Sequence, residues 1–453
     1  MSTGRIGVVG GGLAGISAAL AAADGGAEAV MMERRAHLGG LTTSIRRNGL
    51  SFDNGQHVFL RCCSQYRALL ERMGASSQVF LQPRLDVPVL GPNGVTASIR
   101  RSPLPAPFHL AGSLARYRHL SIGERAGLLR AAAALLRLDP EDDALDAVSF
   151  GEWLTGRGQD RRAIERLWNL IALPTLNLAA ADASLKLAVK VFRVGLLDRS
   201  DAGDIGWSSV PLAELHGANA RRALEAAGVE VLTSTPVTSV ARPPAGPFTL
   251  SAEGRQVNVD AVIVAAPPRV AVALGAFEDA VAADGLGASP IVNVHLLLDR
   301  RVTDLPFAAC IESPVQFVFD RTAASGAPSG QCLAISLSAA DAYIGRGSPE
   351  LVRDFTAAVA ERFPAARKAR LLDAVVTRER AATFRASPGS DALRPASTTR
   401  MPGVFLAGAW CDTGWPATME GAVRSGNDAA ASALGWLAGR PAVADRDYEQ
   451  VLT

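Results

Sequence analysis

A glycine-rich turn near the N-terminus constrains the fold of this chain more than any other feature. The apolar run from Arg5 to Val9 is long enough for a buried strand, and Gly10, Gly12 and Gly15 follow it. Glycines at this spacing give a tight turn, close approach of the backbone to phosphate, and close packing of a helix on the strand. The N-terminus of that helix directs free N–H groups and the positive end of its dipole at a pyrophosphate.

Glu33 supports the same interpretation. A lone GxGxxG motif carries little weight in a chain with 43 glycines. Residues 27–32, however, predict a second strand, and Glu33 ends it at the spacing where a carboxylate binds the hydroxyls of a ribose. Leu13 and Ala14 open the intervening helix and would present backbone N–H groups to the phosphates. The N-terminal segment therefore predicts a dinucleotide-binding strand–helix–strand unit.

The uncharged N-terminal segment has two alternative interpretations. Residues 6–23 carry no charge, which also suits a membrane span or a signal peptide. Five glycines within ten residues, and Arg5 as the sole positive flank, argue against both. We therefore predict a cytoplasmic protein.

Composition and charge limit the class of protein. The chain has 453 residues, of which 48% are hydrophobic and 20% charged, as in a soluble globular protein of two domains. Its net charge of +2, with both signs interleaved, gives no indication of a nucleic-acid partner. The five cysteines lack the spacing of metal ligands and predict free thiols in a reducing compartment, with no metal site.

A second motif near the C-terminus specifies the dinucleotide. Gly403 to Ala407 predicts a buried strand, Gly408 allows close approach, and Pro416 stands where the first residue of a helix from about Ala417 belongs. Backbone N–H groups at such a helix start stabilise the negative charge that a reduced flavin carries around N1 and C2=O. An ordinary strand–helix pair is the alternative. Coupled to the N-terminal motif, the segment indicates FAD.

The order of predicted elements gives an α/β fold with discontinuous domains. Helices dominate residues 108–196, with stops at Pro140 and Pro174, and short strands broken by Pro83, Pro88 and Pro92 precede them. Further predicted elements are a helix over 211–227, strands over 229–232, 260–266, 290–298, 307–311, 315–319 and 332–337, and a helix over 349–363. The predicted Rossmann-like FAD-binding domain comprises residues 1–65, 205–275 and 395–453. The predicted α+β substrate domain, which would face a membrane, comprises residues 66–204 and 276–394.

Three stretches carry a resemblance to a known family. They read FDNGQHV at 52–58, WNLIALPTLN at 168–177 and DTGWPAT at 412–418. With the layout of the two ends, they resemble the bacterial hydroxysqualene dehydroxylases, also called squalene-associated FAD-dependent desaturases, within the amine oxidase and phytoene desaturase superfamily. The resemblance covers almost the whole chain. It implies a fold of the GR2 or amine oxidase type and the reduction of hydroxysqualene to squalene, on a route to hopanoids.

The resemblance also implies cofactor contacts. Gly10, Gly12 and Gly15 would hold the pyrophosphate and Glu33 the adenosine ribose. The further residues implied to lie at FAD are Leu13, Ala14, Arg35, Gly39, Gly40, Gly55, Val237, Gly408, Asp412, Pro416, Thr418 and Met419. Arg35 would lie at the adenosine, the Val237 backbone at the adenine, and the last three at the flavin pyrimidine ring.

Two positions depart from the family pattern. Leu41 follows the glycine doublet where relatives usually have arginine, and Ala409 follows Gly408 where they usually have aspartate. Each change removes a polar contact to the cofactor. We therefore expect weaker FAD binding, or use of the Asp412 carboxylate in its place.

The implied chemistry needs a hydride donor and an acid. Replacing an allylic C–OH with C–H takes hydride from N5 of reduced FAD, and hydroxide leaves only with a proton. His57 is the first candidate for the acid, because the resemblance puts its turn at the flavin and histidine titrates in the right range. The alternative is a histidine that holds the turn through backbone hydrogen bonds. Asp53 and Glu420 are further candidates, each with a structural alternative.

The substrate and its source follow from the same resemblance. Hydroxysqualene dissolves in bilayers, which predicts transient association with the inner face of the cytoplasmic membrane. Residues 100–120 combine arginines with large apolar side chains, which favours membrane contact there. Residues 121–138 suit either an interfacial anchor or a helix that buries its leucines in its own domain. An external electron donor for FAD is also implied, since the sequence has no second nucleotide motif.

Other functions remain open from the sequence. Another FAD-dependent isoprenoid oxidoreductase, such as a carotenoid or phytoene desaturase, would share these motifs. An amine oxidase would tend to use an aromatic cage, whereas this chain has four tyrosines. A non-catalytic isoprenoid carrier on the same fold would not need an intact flavin site.

Overall fold

Twenty strands form the sheets of the computed structural model, which describes residues 4–242, 246–275 and 278–439. Within those ranges the strands are β1 (Arg5–Val9), β2 (Glu28–Met32), β3 (Ser44–Arg47), β4 (Leu50–Asp53), β5 (Val58–Leu60), β6 (Val79–Leu81), β7 (Asp86–Leu90), β8 (Thr96–Arg100), β9 (Ile205–Ser208), β10 (Glu230–Leu232), β11 (Val237–Ala241), β12 (Phe248–Ala252), β13 (Arg255–Val259), β14 (Ala261–Val264), β15 (Ser289–Leu298), β16 (Phe307–Cys310), β17 (Phe317–Asp320), β18 (Gln331–Leu337), β19 (Leu371–Thr383) and β20 (Val404–Leu406).

Helices cover the sheets and fill the segment between β8 and β9. In the described ranges the α-helices are α1 (Leu13–Asp24), α2 (Ser64–Arg72), α3 (Ala111–Ala115), α4 (Ile122–Leu135), α5 (Phe150–Thr155), α6 (Arg161–Ala163), α7 (Asn169–Leu176), α8 (Leu185–Phe192), α9 (Asn219–Ala226), α10 (Pro268–Gly275), α11 (Glu278–Asp284), α12 (Thr322–Ser325), α13 (Ser348–Arg362) and α14 (Met419–Leu437).

A parallel five-stranded sheet forms the first layer. Its strand order is β10-β2-β1-β14-β20, so both ends of the described chain meet in one sheet. Helices α1 and α14 pack against each other on it, so closely that a Cβ at Gly426 would lie 2.1 Å from the Ala14 carbonyl oxygen. Such strands are buried on both faces, which explains their continuous apolar runs. The predicted α/β class is confirmed.

A mixed seven-stranded sheet forms the second layer. Its order is β19-β15-β18-β17-β16-β7-β8, with β7 and β16 parallel and the other neighbours antiparallel. Helix α13 packs on one face through Leu351 and Phe355. The opposite face carries Ile291, Phe317 and Phe319, which line a cavity beneath α4, α7 and α8. This sheet therefore forms one wall of the cavity.

Several predicted extents of strands and helices differ from those in the structure. Pro88 lies inside β7, because β16 pairs with β7 only at Val89 and Leu90, so no ladder bond is lost. Helix α7 continues past Pro174 and ends at Leu176. Strand β19 has no counterpart in the prediction, because an edge strand can carry charged residues that obscure its pattern.

The predicted domain boundaries cross a small sheet. Strand β9 pairs with β5, which lies in the predicted FAD-binding domain as β9 does, and also with β6, which lies in the predicted substrate domain. The sheet therefore spans the boundaries predicted at 65 and 204. All strands of the five-stranded sheet lie in the segments predicted for FAD, and residues 440–453 of that prediction lie outside the described residues. Among the described helices, none combines the length and the apolar character needed to cross a membrane.

Candidate functional site

The glycine turn between β1 and α1 forms an open cradle. Gly10 has φ 111°, and a Cβ there would lie 2.3 Å from the Ala265 carbonyl oxygen. A Cβ at Gly15 would lie 1.9 Å from the Gly10 carbonyl oxygen. At Gly12 the nearest atom is the Cα of Gly40 at 3.8 Å, and no side chain caps α1 there. The free helix N-terminus and the open space fit a pyrophosphate.

Glu33 and Arg35 hold the rim of this cradle. The buried Glu33 carboxylate accepts hydrogen bonds from the backbone N–H of Gly11 at 2.6 Å and of Arg35 at 2.7 Å. Arg35 donates to the Gly40 carbonyl at 2.9 Å, which fixes the Gly39–Gly40 loop opposite Gly12. A carboxylate has about four acceptor positions, so Glu33 keeps capacity for ribose hydroxyls.

The start of β11 lies beside Glu33. The backbone N–H groups of Ser234 and Thr235 donate to the carbonyls of Arg35 and Glu33, at 2.8 and 2.9 Å. Val237 begins β11 two residues later, on the same side of the cradle. The structure therefore brings Val237 together with the N-terminal residues predicted to bind the adenosine.

The C-terminal motif forms a tight turn between β20 and α14. The Gly408 N–H donates to Ser425 Oγ at 2.8 Å, and a Cβ at Gly408 would lie 2.3 Å from Trp410 Nε1. Helix α14 begins at Met419, and the Thr418 hydroxyl caps it by accepting from the Gly421 N–H at 3.1 Å. The prediction that Pro416 opens this helix is wrong, because threonine supplies the cap acceptor that proline lacks.

Arg394 stabilises this turn through hydrogen bonds, although it was not among the residues predicted from the sequence. Its fully buried guanidinium donates to the carbonyls of Cys411 at 2.5 Å and Trp415 at 2.7 Å. The same side chain pairs with Asp391 at 3.0 Å. No local motif marks this arginine, because its partners lie on a turn that only the folded chain brings to it. Asp412, within that turn, accepts from the Gly414 N–H at 3.1 Å.

The seven-stranded sheet anchors the turn at residues 53–57. His295 Nε2 donates to the Asp53 carbonyl at 2.9 Å. The Asn54 carbonyl accepts from Asn293 Nδ2 at 3.0 Å and from Thr377 Oγ1 at 2.8 Å. Strands β15 and β19 therefore fix the position of this turn.

The contacts of Asp53 match a structural role. Its buried carboxylate accepts from Ser44 Oγ at 2.7 Å, from the Leu212 N–H at 3.0 Å and from Arg321 Nη2 at 2.8 Å. A carboxylate held by three donors is an acceptor rather than a proton source. The catalytic prediction for Asp53 therefore gains no support from the geometry.

Glu420 is held in the same way. Its buried carboxylate accepts from the N–H groups of Gln65 at 3.2 Å and Tyr66 at 2.7 Å, in the first turn of α2. Arg424 Nε donates to it at 2.8 Å. Glu420 thus stabilises the N-terminus of α2 and ties α2 to α14. These contacts favour the structural alternative over an acid.

His57 lies between two residues of the cavity wall. Gln56 and Val58 line the cavity, whereas His57 is not among its lining residues. Burial lowers the pKa of His57, against the opposing effects of Asp53 and of a hydrogen bond to the Leu41 backbone. The hydrogen bond with the Leu41 backbone supports the alternative that His57 holds the turn. Its catalytic role stays a prediction.

The cavity is an apolar space of about 1990 Å³, a volume that includes open solvent. Leu110, Leu114 and Leu128 line its outer end beneath α3 and α4. The inner end is lined by Gln56, Val58, Trp415, Pro416, Thr418, Met419 and Glu420. The three residues predicted to contact the flavin pyrimidine ring therefore stand at one end of an apolar channel.

One cation lines the described part of the cavity wall. Lys190 Nζ lies 3.1 Å from Glu141 Oε1, and a Cβ at Gly414 would lie 3.8 Å from it. Lys190 was not predicted as a site residue, because no sequence motif surrounds it. The thiols of Cys62 and Cys63 also line the cavity, and their mutual hydrogen bond, with burial, raises the pKa of Cys63. A raised pKa makes this thiol unreactive.

Comparison with known proteins decides the family. The model of the family described as flavin containing amine oxidoreductase matches residues 13–434. This chain belongs to the flavin-containing amine oxidoreductase family. Its cofactor is FAD, it is an oxidoreductase, and the open cradle, the uncapped α1 and the spare acceptor positions of Glu33 fit that cofactor.

Several relatives and solved structures match most of the length of the chain. A hydroxysqualene dehydroxylase of Sinorhizobium fredii is 28% identical over 446 residues, which cover 94% of this chain and 97% of that protein. A zeta-carotene desaturase of Solanum lycopersicum is 24% identical over 474 residues, covering 94% and 80%. The structure of cyclohexylamine oxidase from Brevibacterium oxydans matches with a TM-score of 0.72 at 18% identity, covering 96% and 99%, and shows the same fold.

Two buried histidines make this family member sensitive to acid. Burial lowers the pKa of His216 to about 3 and that of His295 to about 4. In the unfolded chain a histidine titrates at about 6.5, so below that pH the unfolded state binds more protons and stability falls. We expect the free energy of unfolding to be lower at pH 5 than at pH 7 by about 2 kcal/mol for each histidine, measured by urea denaturation.

A variant of His216 and a matched control test the contribution of this histidine to the pH dependence of stability. His216→Gln keeps a polar partner for the Tyr66 hydroxyl, which lies 2.8 Å from His216 Nε2, and removes the titrating group. Its stability should fall less between pH 7 and pH 5 than that of the parent. His37→Gln, at an exposed position, is the control for the same replacement outside the core. Equal slopes for the parent and His216→Gln would contradict the assignment.

Proposed function

We propose that this protein reduces hydroxysqualene to squalene. FAD held by the cradle would, in its reduced form, supply the hydride that replaces the hydroxyl group on an allylic carbon. The hydroxyl group leaves as water after it receives a proton from an acid in the cavity. His57, next to the wall residues Gln56 and Val58, is the acid predicted from the sequence, and Lys190 is a second candidate because it lines the cavity.

The observation that carries the proposal is the apolar channel. It runs from leucines beneath α3 and α4 to Pro416, Thr418 and Met419, which suits a long hydrocarbon chain with its reacting end at the flavin. Among the described residues that line it, the aromatic side chains are those of tryptophan and phenylalanine. Relatives named hydroxysqualene dehydroxylase and zeta-carotene desaturase agree with an isoprenoid substrate.

A direct reaction tests the proposal. Purified protein with chemically reduced FAD is incubated with hydroxysqualene without oxygen, while flavin absorbance and extracted lipids are followed. We expect flavin reoxidation matched by an equal amount of squalene. If the flavin stays reduced and hydroxysqualene is unchanged, the proposal fails. Oxidised protein would then be assayed with phytoene and zeta-carotene, the substrates of the desaturase alternative.

We further propose that the outer end of the channel meets the membrane surface. Four large apolar side chains are exposed around it, namely Leu104 (52%), Phe108 (62%), Ile122 (80%) and Leu129 (50%). Arg116, Arg118 and Arg130 are exposed beside them and would attract anionic lipids. Within α4, Leu128 and Leu135 are buried and line the cavity, so this helix serves the channel on one face and exposes apolar groups on the other.

Loss of two exposed apolar side chains should weaken membrane binding. We expect Phe108→Ser/Ile122→Ser to bind about tenfold more weakly to vesicles of phosphatidylcholine and phosphatidylglycerol, because each side chain loses apolar area that would leave water. Co-sedimentation measures the effect. The control Val281→Ser/Leu372→Ser changes apolar residues that are 53% and 49% exposed but belong to α11 and β19 rather than to the segment of α3 and α4. Equal binding by both double variants would contradict the proposed surface.

A further inference from the structure

Lys190 brings a positive charge to a cavity whose wall is mostly apolar. Its Nζ lies 3.1 Å from Glu141 Oε1, and it is the one cation among the described residues that line the cavity. The Lys190 side chain is 17% exposed, whereas that of Glu141 is 47% exposed and does not belong to the described cavity wall. Because water screens the exposed carboxylate, Glu141 offsets only part of the Lys190 charge on the cavity side.

The Lys190 ammonium lies beside the C-terminal turn. The position of a Cβ at Gly414 is 3.8 Å from Nζ, and Gly414 stands two residues before Pro416, which lines the inner end of the cavity. Two residues span at most about 7 Å, so Nζ lies within roughly 13 Å of the Pro416 Cα. Helix α8 therefore places a cation near the end of the cavity where Pro416, Thr418 and Met419 are predicted to contact the flavin pyrimidine ring.

Two arginines near this turn act on the protein itself. Arg394 is fully buried and donates to two backbone carbonyls of the turn. Arg424 pairs with Glu420 at 2.8 Å, and its guanidinium lies 4.7 Å from the centre of the Trp415 ring. Neither arginine belongs to the described lining of the cavity. Of these three cations, Lys190 is therefore the one whose charge acts on what the cavity holds.

A reduced flavin differs from an oxidised one in its charge. The reduced ring carries negative charge around N1 and C2=O, and the oxidised ring is neutral, so a nearby cation stabilises the reduced state more. A unit charge at roughly 13 Å shifts such an equilibrium by about tenfold at an effective dielectric constant near 20. This effect adds to that of the N–H groups at the start of α14.

We propose that Lys190 stabilises the reduced state of bound FAD and thereby raises its reduction potential. The inference rests on the predicted position of the pyrimidine ring, and it does not depend on which isoprenoid the protein reduces. It goes beyond the proposed function, because it uses the charge of Lys190, whereas the acid role uses the proton. A raised potential favours the transfer of electrons from the external donor to the flavin.

The reduction potential of the bound FAD tests this role without any substrate. It is measured without oxygen, at low ionic strength, by equilibration of the FAD-loaded protein with a reference dye. In Lys190→Met we expect the equilibrium constant for reduction to fall about tenfold, which lowers the potential by about 30 mV for a two-electron couple. Glu141→Gln removes the opposing charge and should raise that constant by about threefold, a smaller effect because the carboxylate is more exposed.

Two variants control for net charge and for proton donation. Lys368→Met removes an exposed lysine just after α13, the helix on the other side of the seven-stranded sheet, and should keep the parental potential. Lys190→Arg keeps the cation and should also keep that potential, although arginine does not release its proton. Loss of turnover in Lys190→Arg at the parental potential would therefore concern the acid of the proposed function alone.

The outcomes decide between a charge effect and a structural ion pair. A parental potential in Lys190→Met, or an equal shift in Lys368→Met, would overturn the inference. A fall in both Lys190→Met and Glu141→Gln would also overturn it, because loss of the pair would then be the cause. If Lys190→Met does not retain FAD, Glu141→Gln decides, and a potential that is not raised rejects the role.

The inference and the proposed function fail separately. The expected shifts in protein that does not reduce hydroxysqualene would support the role of Lys190 and reject the reaction. Reduction of hydroxysqualene by protein whose potential is independent of Lys190 would support the reaction and reject the role.

Discussion

Gly15→Ala is expected to abolish FAD binding and to destabilise the protein by about 3 kcal/mol. Its new Cβ would lie 1.9 Å from the carbonyl oxygen of Gly10 and 3.0 Å from that carbonyl carbon, both in the backbone of the turn. Neither atom can yield as a flexible side chain would, so α1 must move away from β1. The N–H groups that would bind the pyrophosphate move with it. Flavin absorbance per protein after incubation with FAD, and urea denaturation of the apoprotein, measure the two effects.

Two other glycine variants separate packing from cofactor binding. A Cβ at Gly12 meets no atom closer than 3.8 Å, so Gly12→Ala should keep the stability of the apoprotein while its methyl group enters the pyrophosphate space and lowers FAD affinity. Gly435, in α14, has open space around a Cβ, and Gly435→Ala should retain FAD and gain slightly in stability. Full flavin content in Gly15→Ala, or equal destabilisation by Gly12→Ala, would contradict this account of the turn.

Arg321→Met should cost about 3–5 kcal/mol of unfolding free energy. The ion pair between Arg321 and Asp53 spans 2.8 Å, and both side chains are less than a tenth exposed. Arg321 also donates to the carbonyls of Ser208 and Val210. Its removal leaves the Asp53 carboxylate buried without a counter-charge, and the turn at residues 53–57 loses an anchor. Urea denaturation at pH 7 measures the loss.

The control for Arg321→Met is an exposed pair. Arg5 lies 2.6 Å from Glu230, with both side chains more than a third exposed, so Arg5→Met should cost at most about 1 kcal/mol. Asp53→Asn adds a test of the acid prediction. If Asp53 is structural, the variant loses stability, and at full flavin occupancy its turnover remains close to that of the parent. A large loss of turnover with unchanged stability would reinstate Asp53 as the acid.

Much of the cofactor site was predictable because its requirements are local. The cradle needs glycine where a side chain would strike the backbone at Gly10 and Gly15, and it needs a carboxylate at the end of the second strand, as Glu33 provides. These demands fall within a short stretch of chain, so the spacing of residues records them. The start of α14 was misplaced by two residues, because proline and threonine both favour helix starts and only the hydrogen bond to Thr418 shows which one caps it.

The catalytic candidates depended on neighbours distant in sequence. Asp53 and Glu420 carry the side chains that an acid needs, but Arg321 and Arg424, with backbone N–H groups from α2 and from residue 212, occupy their oxygens. Nothing in the spacing around either carboxylate records those donors. For the same reason Arg394 and Lys190 went unselected, since each acts on a turn or a wall built from other segments.

The sequence by itself determined the family, the cofactor and the parallel sheet that brings both ends of the chain together, because each depends on motifs whose geometry is set within one strand–turn–helix unit. The tertiary structure alone decided which faces meet in the channel and how the turn at residues 53–57 is held. Those properties arise from contacts between residues as far apart as Asn54 and Thr377, and such contacts follow from packing rather than from any periodic pattern.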